Sequence, residues 1–389
     1  MGQAARSQMS RPIKALVLID AFRMGGAETL LAPMIAASRD TDIEMDVVSV
    51  SPAELNSAKT MQILAEADIP TRSLGIRRLL DPVALPRLTR LIRRGQYDVV
   101  HAHLEMAMTL AVPAAALVRR PAVCTFHHVA RPLSGRAAWR ERVAVEAATR
   151  SARALFVSEA SRLSFQQAYR PDGMPPNWEV MHNGVDISNY HPGPVDPAVR
   201  NQLGGAGTQV VVLPAAFRDF KGVPVAIRAW AGVRERFPHA VLALVGGGEL
   251  EAELRGLVAT SGLSEAVVFA GVRTDMPEVY RAADVVLSAS IFGENLPTVL
   301  IEASATGCAV AASRTGGIPD IVVDTETGLL FEPGSEQGLT DVVCRLLADA
   351  GLRERLGAAA RLRAQREFSA TAWMARLRST YVEVIGSGR

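Results

Sequence analysis

The stretch Ser290-Ile291-Phe292-Gly293-Glu294-Asn295-Leu296-Pro297-Thr298-Val299-Leu300-Ile301-Glu302-Ala303-Ser304 reads as a strand end, a glycine-bearing loop and a helix opened by proline. Proline suits a first helical position, because the N–H it lacks would have no intrahelical partner there. Such a start leaves free N–H groups around residues 296–298, with the positive dipole character that suits a diphosphate. Glu302 falls about a turn and a half into the helix and Glu294 sits at its mouth. One carboxylate can then grip a ribose diol and the other a sugar hydroxyl, on either side of a pyrophosphate. Two glutamates at an exposed helix start are also common without any such role. The surrounding sequence has to decide.

Outward from this stretch, short apolar runs alternate with helical patterns, the mark of parallel α/β units. In the first half the pattern predicts strands at 15–19, 45–50, 98–101, 122–126, 154–157 and 179–182, and helices at 27–38, 56–67, 82–94, 137–150 and 159–169. The Pro/Gly-rich segment His191-Pro192-Gly193-Pro194, with Pro197, breaks the rhythm as a linker does. Strands resume at 210–213, 241–245, 267–269, 285–288 and 309–312. Near the end Trp373, Leu377, Tyr381 and Ile385 form one apolar helical stripe. The expected fold class is α/β, with two doubly wound Rossmann-like domains facing a cleft and ligands beyond the carboxyl ends of the strands.

A length of 389 residues agrees with two domains, since single cores stop growing at about 250–300 residues. The expected division is a disordered 1–12, a first domain 13–190, a second domain 191–369, and a terminal helical segment 370–389. Aromatic residues make up 5% of the chain, which argues against base-stacking platforms and a nucleic-acid partner. Cys124, Cys308 and Cys344 are scattered without ligand spacing, so a reduced cytoplasmic setting without structural zinc is expected. No apolar run approaches the roughly 18 residues a membrane span needs. Charge is uneven: 72–153 holds 15 Arg against 5 acidic residues, including Arg77, Arg78, Arg87, Arg90, Arg93 and Arg94, then Arg136, Arg140 and Arg142 around Trp139. Such a face suits anionic lipid headgroups or an anionic acceptor, although a solvated surface is the simpler reading.

Lys221 is the only lysine after residue 59, in a chain with 39 Arg and 3 Lys. A lysine kept there points to work for a compact ammonium, such as meeting phosphate as a point charge. Gly25-Gly26 lies between the first strand and the next helical pattern, where glycines let backbone approach a ligand. Gly246-Gly247-Gly248-Glu249 follows a strand and is expected to open a helix, but Glu251 stands where a dinucleotide fingerprint needs glycine. It reads as a nucleotide-side turn or a plain connection. His101, His103, His127 and His128 cluster at strand ends without metal-ligand spacing or an acidic partner cluster, so no metal site is expected.

Taken in order, Gly25-Gly26-Ala27-Glu28, Asn183-Gly184-Val185-Asp186, Phe220-Lys221-Gly222, the Glu294/Glu302 pair and Gly316-Gly317-Ile318-Pro319-Asp320 resemble the family-four retaining glycosyltransferases of the glycosyltransferase-B fold, over roughly residues 14–385. The resemblance implies a metal-independent enzyme without a resident cofactor. It would move a sugar from a nucleotide diphosphate sugar, UDP favoured and GDP next, to the hydroxyl of a glycan or lipid-linked acceptor. That work would take place in the cytoplasm or at the inner face of the plasma membrane. It implies donor contacts from Gly25, Gly26, Lys221, Gly248, Glu294, Asn295, Leu296, Pro297, Thr298 and Glu302. His127 would bond a sugar hydroxyl beside the acceptor, and His103 would shape the acceptor pocket. Catalysis would fall to His127, Lys221 and Glu294. The family has an Arg five residues before its Lys; here Ala216 stands in that place, and Arg218 is the candidate replacement. The terminal helix is expected to cross back onto the first domain. A nucleotide-sugar epimerase on the same architecture and a non-catalytic nucleotide-sugar-binding protein are the alternatives.

Overall fold

The computed structural model describes residues 11–23 and 30–387. Contacts divide it into two compact units, Met1–Gly184 with Ala370–Arg389, and Val185–Ser369. The division precedes the Pro/Gly-rich segment at 191–194, which lies wholly in the second unit. The chain enters and leaves that unit side by side, with Val185 N–H donating to Phe368 C=O at 2.8 Å.

The first unit holds a seven-stranded parallel sheet of β1 (Ile13–Ile19), β2 (Ile43–Ser49), β3 (Thr71–Ser73), β4 (Val99–His103), β5 (Ala122–Phe126), β6 (Arg153–Phe156) and β7 (Trp178–Val180), ordered β3-β2-β1-β4-β5-β6-β7. Side chains of a strand alternate between faces, and β1 feeds a core on each side. Leu16 and Leu18 join Leu88, Ile92 and Ala107 from the helices Ala84–Gly95 and Glu105–Leu117. Ala15 and Val17 join Trp373, Leu377 and Tyr381 from the helix Ala370–Ser387. Burial on both faces explains why β1 reads as an unbroken apolar run. The terminal helix is therefore one layer of the first unit.

The second unit has a six-stranded parallel sheet of β8 (Val210–Pro214), β9 (Val241–Val245), β10 (Val267–Gly271), β11 (Val285–Ser288), β12 (Ala309–Ser313) and β13 (Leu329–Phe331), ordered β10-β9-β8-β11-β12-β13. Prolines open four of its helices, Pro197–Leu203, Val223–Arg236, Met276–Arg281 and Ile318–Ile321. In each sheet strand order reverses once, between β1 and β4 and between β8 and β11. The carboxyl ends at those switch points are where open α/β sheets hold ligands. His103 ends β4, and Lys221 and Glu294 follow β8 and β11.

Candidate functional site

In the second unit three loops converge on Glu294. After β8 the chain makes one tight turn, Asp219–Lys221, and Gly222 turns it into the helix Val223–Arg236. Gly222 has φ +64°, and a Cβ there would lie 1.9 Å from the Ala289 carbonyl oxygen. Only glycine lets the loop after β8 sit this close to the loop after β11. Ile291 N–H donates to Phe220 C=O at 2.8 Å across the same junction. Lys221 Nζ then donates to Glu294 Oε1 at 2.5 Å, and Ser290 Oγ donates to the same oxygen at 2.6 Å. Gly316, at φ +54° in the loop after β12, comes as near from the other side: a Cβ would lie 1.9 Å from the Glu294 carbonyl oxygen. Glu294 is buried with its charge matched by the largely shielded Lys221 ammonium.

Glu302 has a different setting. It is the fifth residue of the helix Thr298–Thr306, and Tyr280 donates its hydroxyl to Oε2 at 3.0 Å. Hydroxyls of Thr298 and Tyr190 also reach the carboxylate. Burial raises its pKa above the usual carboxylate range, and these hydrogen bonds oppose the rise. Pro297 is the residue before the helix rather than its first turn, with φ −69° and ψ 110°. Leu300 N–H bonds back to Pro297 C=O at 3.1 Å, so the amides without a helical acceptor are those of Thr298 and Val299, further along than the sequence indicated. Leu296 packs its side chain on the core beneath, while Asn295 is half-buried. Arg218 is exposed, and its guanidinium forms no ion pair with any described residue. Gly248 stands in the turn after β9, next to Phe217; the following helix starts only at Glu251, three residues after the glycines.

In the first unit His103 Nδ1 and His127 Nε2 share a hydrogen bond of 2.8 Å, their rings stacked at 5.1 Å. Burial, then neighbouring imidazoles, holds both well below the usual histidine pKa, so both are neutral. Their other nitrogens, His103 Nε2 and His127 Nδ1, have no hydrogen-bond partner among the described residues. His101 is fully committed to Tyr381 and Thr125, each at 2.7 Å, and burial pushes its pKa down to about 3. His128 does have acidic company, against expectation. Its Nε2 lies 3.1 Å from Glu141, and Glu105 completes a cluster whose ligand atoms all lie within 4.8 Å. Distance along the chain hid this grouping. Glu141 is already shared between His128 and the Tyr169 hydroxyl. Gly25 and Gly26 lie outside the described residues.

The basic residues separate into two groups. Arg77, Arg78 and Arg140 line one cavity with Arg23 and Trp139, whereas Arg90, Arg93 and Arg94 line others. Sequence reasoning missed Ser290, Tyr280 and Tyr190. Ser290 was in plain view four residues before Glu294; Tyr190, far from its partner in sequence, gave no local signal.

The family model for Glycosyltransferase Family 4 matches residues 24–189, and that for glycosyl transferases group 1 matches residues 198–363. A D-inositol 3-phosphate glycosyltransferase of Corynebacterium efficiens is 31% identical over 75% of this chain and 73% of its own length. The chain is a family-four glycosyltransferase. A phosphatidyl-myo-inositol mannosyltransferase of Mycobacterium leprae is 29% identical to this glycosyltransferase, over 88% of it and 85% of the relative. A GDP-mannose-dependent phosphatidylinositol monomannoside mannosyltransferase of Mycolicibacterium smegmatis is 32% identical, and the match spans 62% of that protein and 60% of this one. Among solved structures, Anabaena HepE in complex with UDP superposes at a TM-score of 0.81, with 26% identity over 95% of this chain and all of that one. The glycosyltransferase therefore has the glycosyltransferase-B fold.

Proposed function

We propose that this glycosyltransferase moves a sugar, with retention at the anomeric carbon, from a nucleotide diphosphate sugar to the hydroxyl of a glycan or lipid-linked acceptor. The observation that carries the reading is Lys221 and Ser290 converging on buried Glu294 at a strand-order switch point. In this reading Lys221 and the amides of Thr298 and Val299 take the charge that develops on the leaving diphosphate. Arg218, exposed and unpaired by any described acid, adds a guanidinium where the family Arg is replaced by Ala216. Glu294 accepts from a donor-sugar hydroxyl and Glu302 from the ribose. The leaving phosphate oxygen takes the acceptor proton on the same face. These cationic and dipolar groups do the electrostatic work without a divalent cation.

On the first unit, His127 Nδ1 is the atom offered to a sugar hydroxyl, and His103 lines the acceptor side. The base is uracil or guanine: the names of relatives include GDP-mannose-dependent enzymes, and HepE was crystallised with UDP-glucose. The basic surface of the first unit makes peripheral contact with anionic membrane. A thermal-shift panel of UDP, GDP and their sugars, run with and without EDTA, tests the reading. At least one nucleotide diphosphate and its sugar should stabilise the protein, and EDTA should change nothing. If no such compound binds, the proposal fails.

A further inference from the structure

A cavity of about 420 Å³ opens in the first unit beside the carboxyl ends of β1 and β4. Four arginines line it: Arg23, Arg77, Arg78 and Arg140. Their acidic neighbours are poorly placed to neutralise them. Glu54 lies 3.7 Å from Arg77 with both side chains mostly exposed, and Glu105 lies 3.9 Å from Arg140. Arg23 and Arg78 form no ion pair with any described residue. Asp20, at the cavity's edge, is spoken for: its carboxylate accepts the amides of Ala107 at 2.7 Å and Met106 at 3.2 Å, at the start of the helix Glu105–Leu117. Four cations around one small space repel one another unless an anion joins them.

The rest of the lining says what kind of anion. Trp139 also faces the cavity and is half-exposed, an apolar plate of the sort that packs against the C–H face of a hydroxylated ring. Leu104 lines it too, with φ +70° and ψ 167°, a region that residues other than glycine rarely adopt. That strained residue directly follows His103, whose ring is hydrogen-bonded to His127. A carboxylate occupies one guanidinium fork. A phosphate ester presents two or three terminal oxygens and can engage several at once.

We propose that this cavity binds the phosphate of a phosphorylated polyol acceptor, with Trp139 against its ring and its reacting hydroxyl toward His127. The proposal rests on the glycosyltransferase reading above and adds the chemical class of the acceptor. The phosphate can belong to a soluble ester or to a lipid headgroup, and the test separates them. Isothermal titration of the full chain with myo-inositol phosphate should show binding, with unphosphorylated myo-inositol at least tenfold weaker. Arg78→Ala with Arg140→Ala should weaken the phosphate ester tenfold or more and flatten its salt dependence, while Arg93→Ala with Arg94→Ala should not. In parallel, vesicles containing phosphatidylinositol are compared with phosphatidylcholine vesicles. Binding to the former that depends on Arg78 and Arg140 assigns the site to a lipid headgroup and also supports it.

Equal affinity for the phosphorylated and plain polyol, or indifference to the Arg78/Arg140 substitutions, overturns the proposal. Nucleotide diphosphate binding by the wild-type protein tells the two readings apart. If nucleotide binds and the ester does not, only the cavity assignment fails; if no nucleotide binds, the reading beneath it fails. Retained nucleotide binding by the variants shows that they are folded.

Discussion

Glu302 carries a carboxylate where burial opposes its charge, and three hydroxyls compensate. A carboxylate has about four lone-pair sites. Donors from Tyr280, Tyr190 and Thr298 leave room for one more, and in the function proposed above a ribose hydroxyl fills it. Tyr280 is fully buried, so its hydroxyl cannot be replaced by bulk water when removed. Hydrogen bonds to charged groups contribute about 1.5–3 kcal/mol, roughly ten- to a hundredfold in affinity. Tyr280→Phe should therefore weaken a nucleoside diphosphate by about that factor by freeing the carboxylate to turn. The 2′,3′-dideoxy nucleotide, which has nothing to offer Glu302, should bind wild type and variant alike. Equal losses for both nucleotides in calorimetry would mean that Tyr280 supports the fold only. Glu294 answers to a different rule. Its partner is the cation Lys221, and breaking a buried pair of opposite charges costs about 3–5 kcal/mol because one charge is stranded.

At the scale of elements, what held Glu294 in place was partly legible and partly not. The glycine loop, the helix after it and the odd lysine at 221 stood out in the chain, since each departs from its surroundings in composition. The helix Ala84–Gly95 was equally plain, with Leu88 and Ile92 inward and Arg87, Arg90 and Arg94 exposed. The helix Glu105–Leu117 was not predicted: it is buried on most of its surface, so it has no polar stripe, and it carries a proline, Pro113, in its interior. The edge strands Thr71–Ser73 and Leu329–Phe331 are three residues each, too short for a period of two to declare itself. Nor can a local pattern reveal which loops touch. Gly316 reads as a turn residue, and only the fold shows the Glu294 carbonyl pressed against it. Gly316→Ala should strain the backbone at φ +54° and push the two loops apart, lowering stability by about 1–3 kcal/mol. Urea unfolding checks that loss, and nucleotide binding should fall with it. Unchanged binding would mean that the loop after β12 does not shape the donor site.

At the scale of the whole molecule, the formal charge is only +2, so any electrostatic attraction to a membrane has to be local. The first unit supplies the local excess. Arg90, Arg93 and Arg94 on the helix Ala84–Gly95 and Arg119 and Arg120 beyond the helix Glu105–Leu117 line two hollows that share Arg93 and the exposed Leu117. No helix among the described residues is long and apolar enough to cross a bilayer, so contact through this surface would be peripheral. A basic residue near an anionic surface contributes about 1 kcal/mol, and the effect decays within a Debye length. At that rate five arginines would supply the reversible attachment proposed above. Replacing Arg90, Arg93 and Arg94 by alanine should cost about 3 kcal/mol, roughly a hundredfold in partitioning onto vesicles rich in phosphatidylglycerol. Flotation at rising salt checks it. The wild type should leave the vesicles as salt increases, the triple variant should hardly bind at any salt, and neutral vesicles should retain neither. Arg78 and Arg140 line a different cavity, so substitutions there should leave attachment to phosphatidylglycerol intact. Equal partitioning of the wild type onto neutral and anionic vesicles would remove the membrane from the proposed function, and would leave the proposed donor site at Lys221 and Glu294 untouched.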